Sequence, residues 1–269
     1  MYQLSIAVRV VHTMGEAQFY ITLPSNSSVN VYPENTVSNY ITKLPQEVNL
    51  NGEWEVGLAE MQYPRTWINV REGQHWIYFR GGAHEMVNAD KIPIGYYDTV
   101  QDLIDAIHQA LERLSTQAAL NIRLSYEKIA NRVKFTIKNG ASILVMDDVA
   151  TMLGLELPIP APISSSLTAP YAPNLRLGMH SLFVYCDLVH AQMVGDAQVP
   201  LLRIVPVQGQ HGEYVTRTYK SPQYLPVSRK TFESIEIDIK DDTGRNVPFE
   251  SGKSVVTLHF RLKRSPYFN

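Results

Sequence analysis

The stretch Ser234-Ile235-Glu236-Ile237-Asp238-Ile239-Lys240 and, after a turn and a loop, Val256-Thr257-Leu258-His259-Phe260-Arg261-Leu262 decide the fold. Ile235, Ile237 and Ile239 alternate with Glu236, Asp238 and Lys240. Side chains along a strand point to opposite faces in turn, so this segment has one face to bury and one to leave in water. Val256, Leu258, Phe260 and Leu262 repeat the pattern after the turn Asp241-Asp242-Thr243-Gly244 and a loop through Gly252. Half-buried strands of this kind belong to antiparallel sheets with one side on a core.

Working outward, Leu182–Leu188 and Val199–Val207 read as strands, with Tyr214–Tyr219 a weaker one. Toward the other end, Phe19, Ile21 and Leu23 alternate before Pro24-Ser25-Asn26-Ser27-Ser28. Val37 to Leu44 is an extended run closed by Pro45, and Asn51-Gly52 is a turn signal. Trp54 to Met61 alternates until Pro64, and Trp76-Ile77-Tyr78-Phe79 ends at Gly81-Gly82. Leu4, Ile6, Val8 and Val10 share one face of a first strand, interrupted by Gly15. Two readings of it stand level: an edge strand of the same domain, or an arm that adds to a neighbouring subunit's sheet.

The middle of the chain changes character. Asp98 or Thr99 caps a helix, Asp98 with Gln101 having capping-box spacing. Val100, Leu103, Ile104, Ile107, Leu111 and Leu114 form its apolar stripe. Strands around Ile122–Tyr126 and Val133–Ile137 follow; Asn139-Gly140 turns into Ile143-Leu144-Val145, and a short helix around Asp148–Leu153 ends at Gly154. Pro158 to Pro173 is too rich in proline for a central element. The expected class is therefore mainly β: an antiparallel two-sheet jelly-roll sandwich of about eight strands, with an inserted α+β (helix-strand-strand-helix) subdomain. The expected divisions are an N-terminal strand or arm (1–16), the first half of the jelly roll (17–85), the insertion with its proline-rich exit (86–170) and the second half (171–269).

Composition bounds the function. The 269 residues are 45% hydrophobic and 19% charged, enough for a packed core, and the formal charge of -2 with no basic stripe does not point to nucleic acid. The short cluster Arg261, Lys263 and Arg264 reads as a solvated strand end. The single cysteine, Cys186, sits in the apolar run Leu182–Cys186, so it is expected to be an inert buried thiol. One cysteine allows neither an intrachain disulfide nor a cysteine-based zinc site, and suits a reducing compartment. Neither a membrane span nor a signal peptide is expected.

The search for chemistry returns near misses. Gly252-Lys253-Ser254 resembles the end of a phosphate loop, but the glycine needed five positions earlier is Val247, and a strand pattern follows. His84-Glu85 starts a helical zinc motif that fails at Asn88. His211-Gly212-Glu213 lacks the second histidine of a cupin-type metal site. Asp147-Asp148 and Asp241-Asp242 fall at a helix start and in a turn, where capping and turn formation account for them. No catalytic, cofactor-binding or metal-ligating residue is expected, and the chain reads as a non-enzyme. The 15 tyrosines and 3 tryptophans say more, several lying beside prolines in loops. Such residues bury much area and keep a polar handle, which suits interfaces. The candidate interface residues are Leu4, Ile6, Val8, Val10, Trp67, Tyr171, Tyr267 and Phe268.

Several segments together resemble a known family. They are Phe19 to Ser28, Asn39 to Pro45, Leu50 to Glu60 with Tyr63-Pro64 and Trp67, the block from Gly95-Tyr96-Tyr97 to Leu153-Gly154-Leu155, and then Ile235–Lys240, Asp242-Thr243-Gly244, Val247-Pro248-Phe249, Ser251-Gly252-Lys253 and Val256–Arg261. In order and spacing they resemble the penton, or minor capsid, protein of Polinton (Maverick) elements and adintoviruses, over about Phe19 to Phe268. The resemblance implies a single jelly roll that assembles as a homopentamer at the five-fold vertices of an icosahedral virion, beside a major capsid protein with two jelly rolls. It implies assembly inside the host cell, and leaves room for a host receptor or an attached fibre as partner. The alternative is a jelly-roll binding module for host receptor or glycan attachment.

Overall fold

The structure is a computed structural model, and residues 9–13 and 16–263 are described. In chain order the first strands are β1 (Arg9–Thr13), β2 (Glu16–Pro24), β3 (Asn39–Asn49) and β4 (Trp54–Pro64). Then come β5 (Trp76–Arg80), β6 (Asn88–Lys91), α1 (Val100–Leu114), α2 (Thr116–Asn121), β7 (Ile122–Glu127), β8 (Arg132–Ile137), β9 (Ser142–Val145), α3 (Asp147–Met152) and β10 (Leu167–Thr168). The chain returns through β11 (Ser181–Cys186), β12 (Gln192–Val194), β13 (Ala197–Val199), β14 (Leu201–Pro206), β15 (Tyr214–Thr218), β16 (Leu225–Pro226), β17 (Thr231–Lys240) and β18 (Val255–Leu262). Two compact units result: Ile68–Leu177, and the chain on either side of it.

The outer unit is a jelly roll, and its pairing shows why. Its eight long strands are β2, β3, β4, β11, β14, β15, β17 and β18. The first pairs with the last, the second with the seventh, the third with the sixth and the fourth with the fifth, all antiparallel. That is one long hairpin. It rolls up because β18 also pairs with β4, and β17 with β11. One sheet then runs β1-β2-β18-β4-β15 and the other β14-β11-β17-β3. The two strands that announced the fold, β17 and β18, therefore lie in opposite sheets.

Alternation places the core between the sheets. Phe19, Ile21, Leu23, Val256, Leu258 and Phe260 face Tyr40, Leu182, Val184, Ile235, Ile237 and Ile239, all buried. Full burial of each such side chain contributes roughly 1.5–3 kcal/mol. Phe19 stacks on Phe260 with centroids 4.8 Å apart. The buried Tyr40 hydroxyl donates to Leu23 O at 3.0 Å, so its polar tip is satisfied inside the core.

Some boundaries differ from expectation. β3 does not stop at Pro45 but runs on to Asn49. Lys43 faces Ser234 and Val48 faces Phe232, so residues 44–47 bulge opposite Glu233. Proline is tolerated in an outer strand at a bulge, where no ladder donor is needed. The expected strand Val199–Val207 divides at Pro200: Val199 ends β13 of the small hairpin β12–β13, and β14 begins at Leu201.

The insertion is an α+β unit with its own core. Leu103, Ile104, Ile107 and Leu111 of α1 join Ile122, Leu124, Val133 and Phe135 of β7 and β8. The expected boundary at residue 86 falls inside this unit. β5 pairs with β6 and β9, not with the jelly roll, because Ile77 and Phe79 bury into the insertion's core. The helix cap is Thr99, not Asp98. Thr99 Oγ1 accepts the Asp102 N–H at 3.1 Å, and Asp102 Oδ2 accepts the Thr99 N–H at 3.1 Å, closing a capping box three residues on. Gly154 ends α3 with φ +79, as its composition promised.

Candidate interaction surfaces

The residues singled out in the sequence scatter. Leu4, Ile6, Val8, Tyr267 and Phe268 lie outside the described residues. Val10 stands in β1, opposite Phe19, so β1 is an outer strand of the chain's own sheet. Trp67 is a correction. It is 4% exposed, packs on Tyr63 at 6.4 Å and meets Phe249 edge-on at 5.7 Å. It fills the end of the jelly-roll core and offers no interface in this chain. Tyr171 is 54% exposed, and its backbone is held down: its N–H donates to Gly154 O at 3.0 Å. A Cβ on Gly154 would lie 2.2 Å from Tyr171 O, so only glycine permits this approach.

A cluster that the sequence did not single out as a site lies on the outer face of the six-stranded sheet, in which β16 also pairs with β4. Gly57 of β4 makes room for it. A Cβ there would lie 2.7 Å from Gln223 O, so the segment through Tyr224 lies flat on the sheet. The Tyr224 hydroxyl is 2.7 Å from His259 Nδ1, and His259 Nε2 is 3.0 Å from Gln18 Oε1. With the proton on Nε2, the ring donates to Gln18 and accepts from Tyr224. Tyr20 stacks on the imidazole at 4.3 Å. The Arg261 guanidinium lies 3.5 Å over the Tyr224 ring and donates twice to Glu55 Oε2, at 2.9 and 3.0 Å. Burial, then the Arg261 charge, lower the His259 pKa, so the ring is held neutral. Burial raises that of Tyr224. The cluster is bonded within itself, and Tyr20 is exposed.

The other sheet carries a groove of about 340 Å³ on its outer side, where Tyr185, Asp187, Glu236, Asp238 and Lys240 line it. Lys240 Nζ pairs with Asp238 Oδ2 at 3.3 Å, and Asp187 pairs with Arg229 and accepts the Glu236 N–H. Asp238 Oδ1 has no hydrogen-bond partner among the described residues. Behind this face Cys186 is buried, and desolvation pushes its thiol up to about 12, which leaves it protonated and unreactive. Among the described residues no three His, Cys, Asp or Glu side chains are grouped to hold a metal ion. Among the described residues no helix is long and apolar enough to cross a membrane.

Fold and surfaces together define a single jelly-roll protein with an α+β unit inserted between its third and fourth strands. The crystal structure of the selenomethionine-labelled mavirus penton protein has a similar fold, with a TM-score of 0.50 and 12% sequence identity over 91% of this chain and 99% of that one. No protein-family model and no curated protein sequence matches the chain.

Proposed function

We propose that this chain is a structural capsid subunit, the penton that closes the five-fold vertices of an icosahedral particle. The observation that carries the reading is the nested pairing of eight strands around one insertion, shared in fold with a viral penton over nearly the whole of both chains. The order and spacing of the segments quoted above support an origin among Polinton (Maverick) elements and adintoviruses. Its partners are four further copies of itself and a major capsid protein with two jelly rolls. Its working place is the virion, assembled inside the host cell. Its contribution is buried surface rather than turnover, and it is not an enzyme. Exposed, backbone-clamped Tyr171 and the arm ahead of β2 are its contact residues. Co-expression with such a major capsid protein tests the reading. Density for this chain at the five-fold vertices is expected; density elsewhere, or empty vertices, would overturn it.

A second reading, attachment to a host glycan, draws on the groove beside Tyr185. An aromatic face flanked by Asp187, Asp238 and Lys240 offers both stacking and hydrogen bonds. Uniformly blank glycan arrays would remove it.

A further inference from the structure

The insertion carries opposite charge on two separate faces. α1 turns its apolar stripe inward and leaves Asp102, Asp105 and Glu112 exposed, with Asp98 just ahead of the cap. Its one basic residue, Arg113, is engaged: Nε donates to Asp90 at 2.9 Å and a terminal nitrogen to Lys91 O at 2.7 Å. His108 adds no positive charge, because its Nε2 accepts the Leu124 N–H at 3.0 Å and burial lowers its pKa. The helix face is therefore acidic.

The sheet is the reverse. β7 and β8 bury Leu124, Val133, Phe135 and Ile137 toward the helix side. Strand alternation then turns Arg123, Arg132, Lys134 and Lys138 to the other side. Glu127, the carboxylate on that face, lies 3.8 Å from Lys134. Arg123 and Lys138 form no ion pair among the described residues.

Each face repels a like face and attracts the opposite one. A two-fold contact through either patch would set acid against acid or base against base, whereas a head-to-tail contact sets acid against base. A polyanion is a poorer occupant of the basic face, since the same small unit also presents the acidic face of α1. We propose that insertions of neighbouring copies dock head to tail, α1 of one against the outer face of β7 and β8 of the next. This rests on the shell-subunit reading and names the contact that orders the ring.

The test uses the full chain, with self-association followed by light scattering across concentration and salt. Three variants are compared: Arg123→Glu with Lys138→Glu, Asp105→Lys with Glu112→Lys, and all four together. Circular dichroism checks that each is folded. Wild-type association is expected to weaken as salt rises. Each double variant should raise the subunit dissociation constant about tenfold or more, and the fourfold variant should return it to within about threefold of wild type. Folded double variants that assemble like wild type would overturn the docking while leaving the shell reading intact. So would a fourfold variant no better than the doubles. A wild-type chain that never self-associates at low salt would overturn it too. Oligonucleotide binding lost in Arg123→Glu with Lys138→Glu, with assembly unchanged, would assign the basic face to nucleic acid instead.

Discussion

Asn69 and Tyr97 hold each other through both of their facing groups. Asn69 Oδ1 accepts the Tyr97 N–H at 2.8 Å, and Asn69 Nδ2 donates to Tyr97 O at 2.9 Å. The same amide reaches Leu175 O at 3.0 Å. One buried side chain therefore ties the first residues of the insertion to its last ones, across 106 positions of sequence.

Asn69→Ala should accordingly loosen the insertion. It strands the buried Tyr97 N–H and two carbonyls, at a cost of about 1–3 kcal/mol. Asn69→Asp should not rescue, since a carboxylate accepts from Tyr97 N–H but donates to neither carbonyl. Hydrogen exchange checks this: faster exchange is expected around residues 68–97, with β17 and β18 unchanged.

Trp67 and Tyr171 separate core from surface. Trp67→Ala removes a buried ring from the jelly-roll core and should cost about 3–5 kcal/mol. Tyr171→Ala removes an exposed ring and should shift unfolding little while weakening assembly. Thermal unfolding and solution mass, measured on both variants, read the two effects apart.

Acid should destabilise the protein through His259 and His108. Both imidazoles have lowered pKa values in the folded chain, against an ordinary value of 6.5. As pH falls through about 6.5 the unfolded chain takes up protons that the folded chain does not, so stability is full above that value and is lost below it. Melting temperature measured against pH should therefore fall on the acid side. His259→Gln should make that fall shallower; an unchanged slope would remove His259 from the account.

Deleting the residues ahead of Phe19 should weaken assembly without unfolding the sandwich. Among the described residues β1 pairs with β2 alone, at the edge of the sheet, and the eight nested strands pair with one another without it. Circular dichroism and solution mass of the truncated chain decide the matter. Normal assembly would take the arm out of the mechanism.

The strands were legible because each long one has a single buried face. The period-2 pattern of Ile235, Ile237 and Ile239 survives in the structure residue by residue. Their partners were not legible, because the roll joins Phe19 to Phe260 and Ile41 to Glu236, pairings no local pattern encodes. β5 shows the same limit: Trp76 to Phe79 reads as a strand but carries no mark of which core receives it. Either Asp98 or Thr99 could have capped α1, and the choice fell to the residue whose third neighbour, Asp102, closes the box. The candidate surfaces were harder still. Trp67 looks like a loop aromatic until Phe249 arrives from far along the chain. Gln18, Tyr20, Tyr224 and His259 look like solvated residues until three distant segments meet over Gly57.

The most direct test of the central claim is the solution mass of the purified full chain by light scattering. The capsid-vertex account predicts a species of five chains, closed as a ring under electron microscopy. A stable trimer, or a monomer that forms no ring at any concentration, would contradict it.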